Sequence, residues 1–430
     1  MMKKFRYVLV TALVLGSIPG CGRRAPESSS EEKTEATEES SAGGETKTES
    51  EKKETVKFDR ESKQVQEKTK KLEDLVDKYF YFEEDGAKQE ESYFDGIMSG
   101  LDDPYSCYYT KEEYKRMKED DAGSFSGIGA TLQQDQETGV VVVVDAMEGN
   151  PAEKAGVMDD DKIVQVDDTE LTIDMDLDSV VSIIRGPKGS TVHIKVYRDS
   201  DKKYHEFDIV RDDIKVDTVE HEVTKSNLGY ISVSQFINTT EADFKAAVDD
   251  LVSQGVTGLV IDMRSNPGGF VTSATSMADY LIEDDLQADG AEKKGLLLQT
   301  KDKNGKVDDE IVCQDGHSVD LPMVVLVNGN TASASEIFTG IMRDYKKATI
   351  IGTKTYGKGI VQQVIPLDDG SAIKITIAKY FIPSGTDIHK VGIEPDKEVE
   401  YEELATDSDA SEDSGADDTQ EQAAYDELTK

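Results

Sequence analysis

Tryptophan is absent from the 430 residues, and the three cysteines (Cys21, Cys107 and Cys313) form no Cys-x-x-Cys pair. A disulfide framework is therefore excluded, and Cys107 and Cys313 read as small packing residues. Positive charge is scarce: 49 Lys and Arg face 89 Asp and Glu, and the net charge of −40 argues against a nucleic-acid-binding surface. No apolar run reaches the ~20 residues of a spanning helix, so a multipass membrane protein is ruled out. The five His do not cluster, and neither His-Glu-x-x-His nor a Gly-x-Ser-x-Gly elbow occurs. Four Ser-x-x-Lys matches lie in a spacer, a polar turn or across the two faces of a strand, where nothing desolvates the Lys.

What is present is unevenly spread. Residues 25–56 hold ten Glu against four Lys with almost no large apolar side chain, and residues 401–430 hold eleven acidic residues against one Lys. Such stretches bury too little surface to fold and act as self-repelling spacers. The first residues form a cationic head (Lys3, Lys4, Arg6), then a mostly apolar stretch from Tyr7 to Gly20, then Cys21. This reads as an export signal of lipoprotein type, with Ser17-Ile-Pro-Gly-Cys21 similar to a lipobox and Cys21 the lipidation site. The expected location is the extracytoplasmic face of the bacterial membrane, held by the lipid or an uncleaved signal anchor, or the medium if cleavage releases the chain.

The expected organisation is a signal segment at 1–21, a disordered acidic linker at 22–57, and a helical N-terminal region at 58–122. A mixed module follows at 123–211, an α/β core at 212–402, and a disordered acidic tail at 403–430. In the helical region Val65, Leu72, Leu75, Val76 and Tyr79 recur at steps of seven, three and four, a face through which two copies can pair. In the core, strands at Tyr230–Val233, Gly258–Met263, Met323–Val327 and Thr349–Gly352 alternate with helices at Glu241–Gln254, Thr272–Ile282 and Ser333–Tyr345. That order predicts helices packed on a mainly parallel sheet, closed by a hairpin at Ile360–Leu367 and Ala372–Phe381.

Three segments of the core can carry chemistry. Val325-Leu-Val-Asn-Gly-Asn-Thr-Ala-Ser333 runs a buried strand into a helix that starts at or just after Ser333. A hydroxyl there sits at the end of a parallel strand, and the free N–H of Ala334 can donate to an oxyanion. As an alternative, Ser333 is an N-cap with Glu336 as its capping-box partner. Gly357-Lys-Gly359 places Lys358 beside apolar strands, where burial lowers an amine's pKa toward that of a working base. Gln362 can hold that amine without adding negative charge. In Asp262-Met-Arg-Ser-Asn-Pro-Gly-Gly269 the bare backbone of Gly268 and Gly269 can approach a substrate and supply a second oxyanion donor.

Together, Thr331-Ala-Ser-Ala-Ser-Glu336, Thr355-Tyr-Gly-Lys-Gly-Ile-Val-Gln362 and the Asp262–Gly269 loop resemble the C-terminal processing peptidases, tail-specific serine proteases with a Ser-Lys dyad. Tyr93–Tyr105, Tyr380-Phe-Ile-Pro-Ser-Gly385 and Gly392-Ile-Glu-Pro-Asp396 are similar to further segments of that family. The resemblance covers roughly 64–400. It implies a multidomain α/β fold: a crotonase/Clp-protease-like core, an inserted PDZ domain at 123–211 and a helical N-terminal region. It implies a serine endopeptidase that cleaves exported or membrane-associated proteins near their C-termini, without metal or cofactor. Ser333 is then the nucleophile, Lys358 the base and Gln362 its orienting residue. Ala334 with Gly268 or Gly269 forms the oxyanion hole. In the PDZ module Gly127, Ile128, Gly129 and Ala130 stand in the carboxylate-binding loop for apolar substrate C-termini, and the module is expected to gate activity. The rival reading is a non-catalytic PDZ-containing scaffold lipoprotein that binds such C-termini without turnover.

Overall fold

The computed structural model describes residues 58–135, 138–173, 175–404 and 416–430. The expected signal segment, Cys21 and the linker to residue 57 lie outside the described residues. The chain divides into two compact units, one ending at Ile97 and the other running from Met98 onward. The first holds α1 (Lys63–Tyr79) and the start of α2 (Gly86–Ser99). Ser62 caps α1 by accepting the Val65 N–H, and no residue of the helix is buried: Leu72, Leu75, Val76 and Tyr79 all face outward. Among the described residues no helix is long and apolar enough to cross a membrane.

The second unit begins with a strand at Cys107–Tyr109 and α3 (Lys111–Asp121), whose first turn is closed by a capping box between Thr110 and Glu113. A two-strand ribbon, Ser124–Gly127 against Asp212–Lys215, then clasps both ends of an inserted module. Inside it, five antiparallel strands run in the order Ala130–Gln134, Val141–Ala146, Lys162–Val166, Thr191–Arg198, Lys203–Val210. Two helices, α4 (Pro151–Ala155) and α5 (Leu177–Ile184), complete the module. Alternating burial along Thr191–Arg198 sends Val192, Ile194 and Val196 into the module's own core. Ala130–Gln134 is the edge strand at one end and Lys203–Val210 at the other.

The rest of the second unit carries a six-stranded sheet ordered Val219–Val223, Gly229–Val233, Leu259–Asp262, Met323–Val327, Ala348–Gly352, Lys397–Glu398. Every pair after the first is parallel. The central strands, Leu259–Asp262 and Met323–Val327, are buried throughout, as expected where both faces are covered. One face packs on α6 (Thr240–Ser253), α7 (Val271–Leu281) and α8 (Ala334–Asp344), giving the main core around Phe244, Ile261, Val325 and Phe338. The other face is covered by α9 (Thr419–Leu428), whose Ala424 and Tyr425 pack with Leu228, Val260, Val324, Leu326 and Ile351.

Two expectations need correction. The tail from 403 was assigned to disorder on its acidity, yet α9 is an ordered helix. Asp418 caps it, and its apolar residues at 424 and 425 pack on the sheet face. The hairpin Ile360–Pro366/Ala372–Phe381 forms, but it does not close the parallel sheet. It belongs to a separate antiparallel sheet with Cys107–Tyr109, Leu296–Lys301 and Val307–Val312. The Leu296–Val312 hairpin, which the alternation pattern passed over, supplies that sheet's other half. Cys107 and Cys313 are both buried, and no disulfide joins them.

Candidate active site

Ser333 sits where the strand Met323–Val327 turns into α8, at the carboxyl end of a parallel strand. Its backbone is strained, at φ 59° and ψ −118°, a region that non-glycine residues avoid. In its sharp strand-to-helix geometry the turn resembles a nucleophile elbow, although its sequence lacks the flanking glycines. What holds it is Glu336, a carboxylate with no exposure to solvent. Glu336 accepts the Ser333 N–H at 2.8 Å, the Lys358 N–H at 2.8 Å, the Gly357 N–H at 2.8 Å and the Thr355 hydroxyl at 2.6 Å. One carboxylate therefore ties the Ser333 backbone to the Lys358 backbone. From the opposite side the buried Tyr380 hydroxyl donates to the Ser333 carbonyl at 3.1 Å and also reaches the Lys358 carbonyl. The capping-box reading of Glu336 holds for the Ser333 N–H, but the contacts extend well beyond a cap.

Lys358 is 8% exposed. Burial pulls its amine down to about 8, helped by the nearby charge of Lys374 and opposed by Asp103 and Glu336. The amine stands 4.6 Å from the centre of the Tyr105 ring. Among the described residues no hydrogen bond links it to the Ser333 hydroxyl. Gln362 does not meet it either: the Gln362 amide donates to the Thr376 hydroxyl at 3.4 Å, and that hydroxyl donates to Asp103 at 2.7 Å. A cleft of about 360 Å³ opens beside Lys358, lined by Asp103, Tyr105, Tyr356, Gly357 and His389 among others.

The loop after Leu259–Asp262 approaches Ser333 closely. Gly268 lies so close that a Cβ would stand 2.8 Å from the Ser333 Cβ and 2.9 Å from the Ala334 nitrogen. At Gly269 a Cβ would fall 2.0 Å from the Phe236 carbonyl oxygen, so no side chain fits there. Buried Asn266 fixes the loop: its amide donates to the Val233 carbonyl at 2.9 Å, while its oxygen accepts from the Gly268 N–H at 2.8 Å and the Ser335 hydroxyl at 3.0 Å. The Gly268 N–H is thereby occupied. The N–H groups of Gly269 and Ala334 have no acceptor among the described residues.

Ser333, Ala334, Gly268 and Gly269 are brought together, and Lys358 is joined to them through Glu336 and Tyr380. Glu336, Tyr380, Tyr105, Asp103 and Asn266 were not read as site residues from the sequence. The family-like segments Tyr93–Tyr105 and Tyr380–Gly385 were the only signal for three of them. Gly127–Ala130 lies in the inserted module, between the ribbon strand Ser124–Gly127 and the edge strand Ala130–Gln134. The carboxylates of Asp279, Asp284 and Asp315 gather within 4.8 Å of one another, two of them exposed. Asp279 and Asp284 accept backbone N–H groups of Gln314 and Gly316 and read as loop-closing residues.

Comparison with known proteins places these features in context. Residues 227–399 match peptidase family S41, and residues 142–198 match a PDZ domain. A probable CtpA-like serine protease of Staphylococcus haemolyticus (strain JCSC1435) is 37% identical over 74% of this chain and 62% of its own length. The carboxy-terminal processing protease CtpA of Bacillus subtilis (strain 168) is 34% identical over 79% of this chain and 70% of its own. This chain thus spans a little under two thirds of the first relative. Among solved structures, a photosystem II D1 C-terminal processing protease is 30% identical, covering 77% of this chain and 86% of that one, with a TM-score of 0.48.

Proposed function

The chain belongs to peptidase family S41, among its C-terminal processing serine proteases, and from that premise we propose that Ser333 and Lys358 form its catalytic dyad. The observation that carries the assignment is the shared grip of Glu336 and Tyr380 on both backbones. Ser333 Oγ attacks the scissile carbonyl while neutral Lys358 takes its proton. The tetrahedral oxyanion is held by the N–H groups of Ala334 and Gly269, the two without acceptors, Gly268 serving through its close approach rather than as the donor. Lys358 then protonates the leaving amine, and water releases the acyl group. Before this the Lys358 amine must leave the Tyr105 ring and turn toward Ser333, with Gln362 turning from Thr376 to orient it.

Polypeptides with apolar C-termini are the proposed substrates. The edge strand Ala130–Gln134 offers an open ladder for an added strand, and Gly127–Ala130 is placed to cap its carboxylate. Gating by the PDZ module is supported by its link to α3. Arg185 pairs with Asp120 at 2.8 Å, and Arg116 donates to Ser182 at 2.9 Å. α3 in turn follows the segment that carries Tyr105.

The deciding experiment incubates the full chain with a disordered protein bearing an apolar C-terminus, beside Ser333→Ala and Lys358→Ala variants and a chelator control. Cleavage by the parent alone, chelator or not, supports the dyad; equal cleavage by both variants overturns it. Binding without turnover would favour the scaffold reading. We further propose export and lipidation at Cys21, on the strength of the leader sequence, and pairing of two copies through the outward apolar face of α1. Loss of fatty-acid labelling in Cys21→Ser and a monomeric mass in Leu72→Glu are the respective checks.

A further inference from the structure

The oxyanion loop is gripped from below by a part of the chain that lies beyond the region matched to the family. Arg264, two residues before Asn266, is largely buried, and its guanidinium spreads over five acceptors, among them the Tyr230 hydroxyl at 3.4 Å. It meets Asp262 at 2.7–3.0 Å, Asp418 at 2.7 Å, Gln420 at 3.1 Å and Glu421 at 3.2 Å. Tyr230 closes the set by donating to Asp262 at 2.6 Å. The partners at 418–421 all belong to the start of α9. Asp418 works in both directions: Oδ2 faces Arg264, while Oδ1 caps the helix by accepting the N–H groups of Gln420 at 2.8 Å and Glu421 at 2.9 Å. Gln420 also donates to the Val399 carbonyl at 2.8 Å. The planar, five-donor fork of Arg264 is thus satisfied only when α9 is seated.

The route from Arg264 to the chemistry is short. After it the backbone turns at Ser265, φ 58°, whose N–H is accepted by Asn328 at 2.9 Å. Then comes Asn266, which fixes Gly268 against Ser333 and Ala334. We propose that α9 is an intramolecular strap whose Asp418, Gln420 and Glu421 act through Arg264 to set the position of the Gly268-Gly269 loop. They are positioning residues, not catalytic ones, and the proposal rests on the reading of Ser333 as nucleophile.

The test uses the full chain and the double variant Asp418→Asn/Glu421→Gln, which keeps side-chain shape and removes both charges. Three quantities are measured well below each variant's own unfolding midpoint: phosphonylation of Ser333 by a fluorophosphonate probe, kcat and KM on an apolar-tailed peptide, and amide hydrogen exchange. The expected result is a loss of at least tenfold in kcat and labelling rate, KM within twofold, and faster exchange at 263–269 with the PDZ amides unchanged. Arg264→Lys should fall between the parent and Arg264→Met. Should the double variant not fold, Gln420→Ala, which leaves both charges, is read on the same scale with a twofold to threefold loss expected. Variants that melt earlier yet match the parent in kcat, labelling and loop exchange overturn the strap. A parent that is never labelled overturns the Ser333 reading instead, and loop exchange alone still decides the strap.

Discussion

Ser333 holds a conformation that its own side chain disfavours, and at the residue scale this leads to a measurable contrast. A non-glycine residue in such a region costs on the order of 1–3 kcal/mol. Ser333→Gly should therefore be about 1 kcal/mol more stable than Ser333→Ala in urea unfolding, although both lack the hydroxyl. Equal stability would mean the turn is not strained. Lys358 gives a second contrast. With its amine at about 8 in the fold against about 10.5 in the unfolded chain, the folded state resists protonation. Stability therefore rises between pH 8 and 10.5, while below 8 the charged, buried amine exerts its full cost. Lys358→Met should exceed the parent by roughly 3 kcal/mol at pH 7, a gap that closes above pH 10. As a base, the same amine should make kcat/KM rise about tenfold per pH unit below 8 and level off above it. Glu336→Gln puts an amide N–H₂ where a carboxylate oxygen accepts, so kcat should drop by about a hundredfold. Because the lost charge favoured protonated Lys358, the acid limb should also move to lower pH; an unmoved limb would show that Glu336 only supports the fold.

At the scale of elements, the contact between α3 and α5 is where the module meets the body. Asp120 is about half exposed, so the Arg185–Asp120 pair contributes less than about 1 kcal/mol to stability. Arg185→Ala should then leave the unfolding midpoint almost unchanged while abolishing any stimulation of turnover by a PDZ-bound peptide, measured as kcat with and without that peptide. Most elements of the body were legible because their signals are local. The buried run Met323–Val327 and the alternation of strands with amphipathic helices needed no partner information. The strands Leu296–Lys301 and Val307–Val312 were not, since the second is polar along its exposed face and only pairing defines it. The strained turn at Ser333 and the glycine loop were legible as motifs. Glu336 was visible only as a cap, because its contacts to Thr355, Gly357 and Lys358 span 19 to 22 residues of chain. The Tyr105–Lys358 contact joins residues still farther apart, and no local pattern announces it.

At the scale of the whole molecule, acidity misled where burial decides. Residues 401–430 look like a solvated tail by charge, yet Tyr425 is 4% exposed and covers a sheet face that would otherwise be bare. Tyr425→Ala should cost about 3 kcal/mol in urea unfolding, by the usual penalty for emptying a buried aromatic site. Leu72→Ser on the outward face of α1 should change it by under about 0.5 kcal/mol. A Tyr425→Ala variant as stable as the parent would return the segment to a loose tail. The ribbon of Ser124–Gly127 with Asp212–Lys215 has a different consequence. The chain leaves the catalytic body and re-enters it side by side, so whatever hangs from that clasp is a cartridge. A foreign module with adjacent termini can be spliced at the same two points without re-threading the body, which makes the insert in this architecture a separable and exchangeable part.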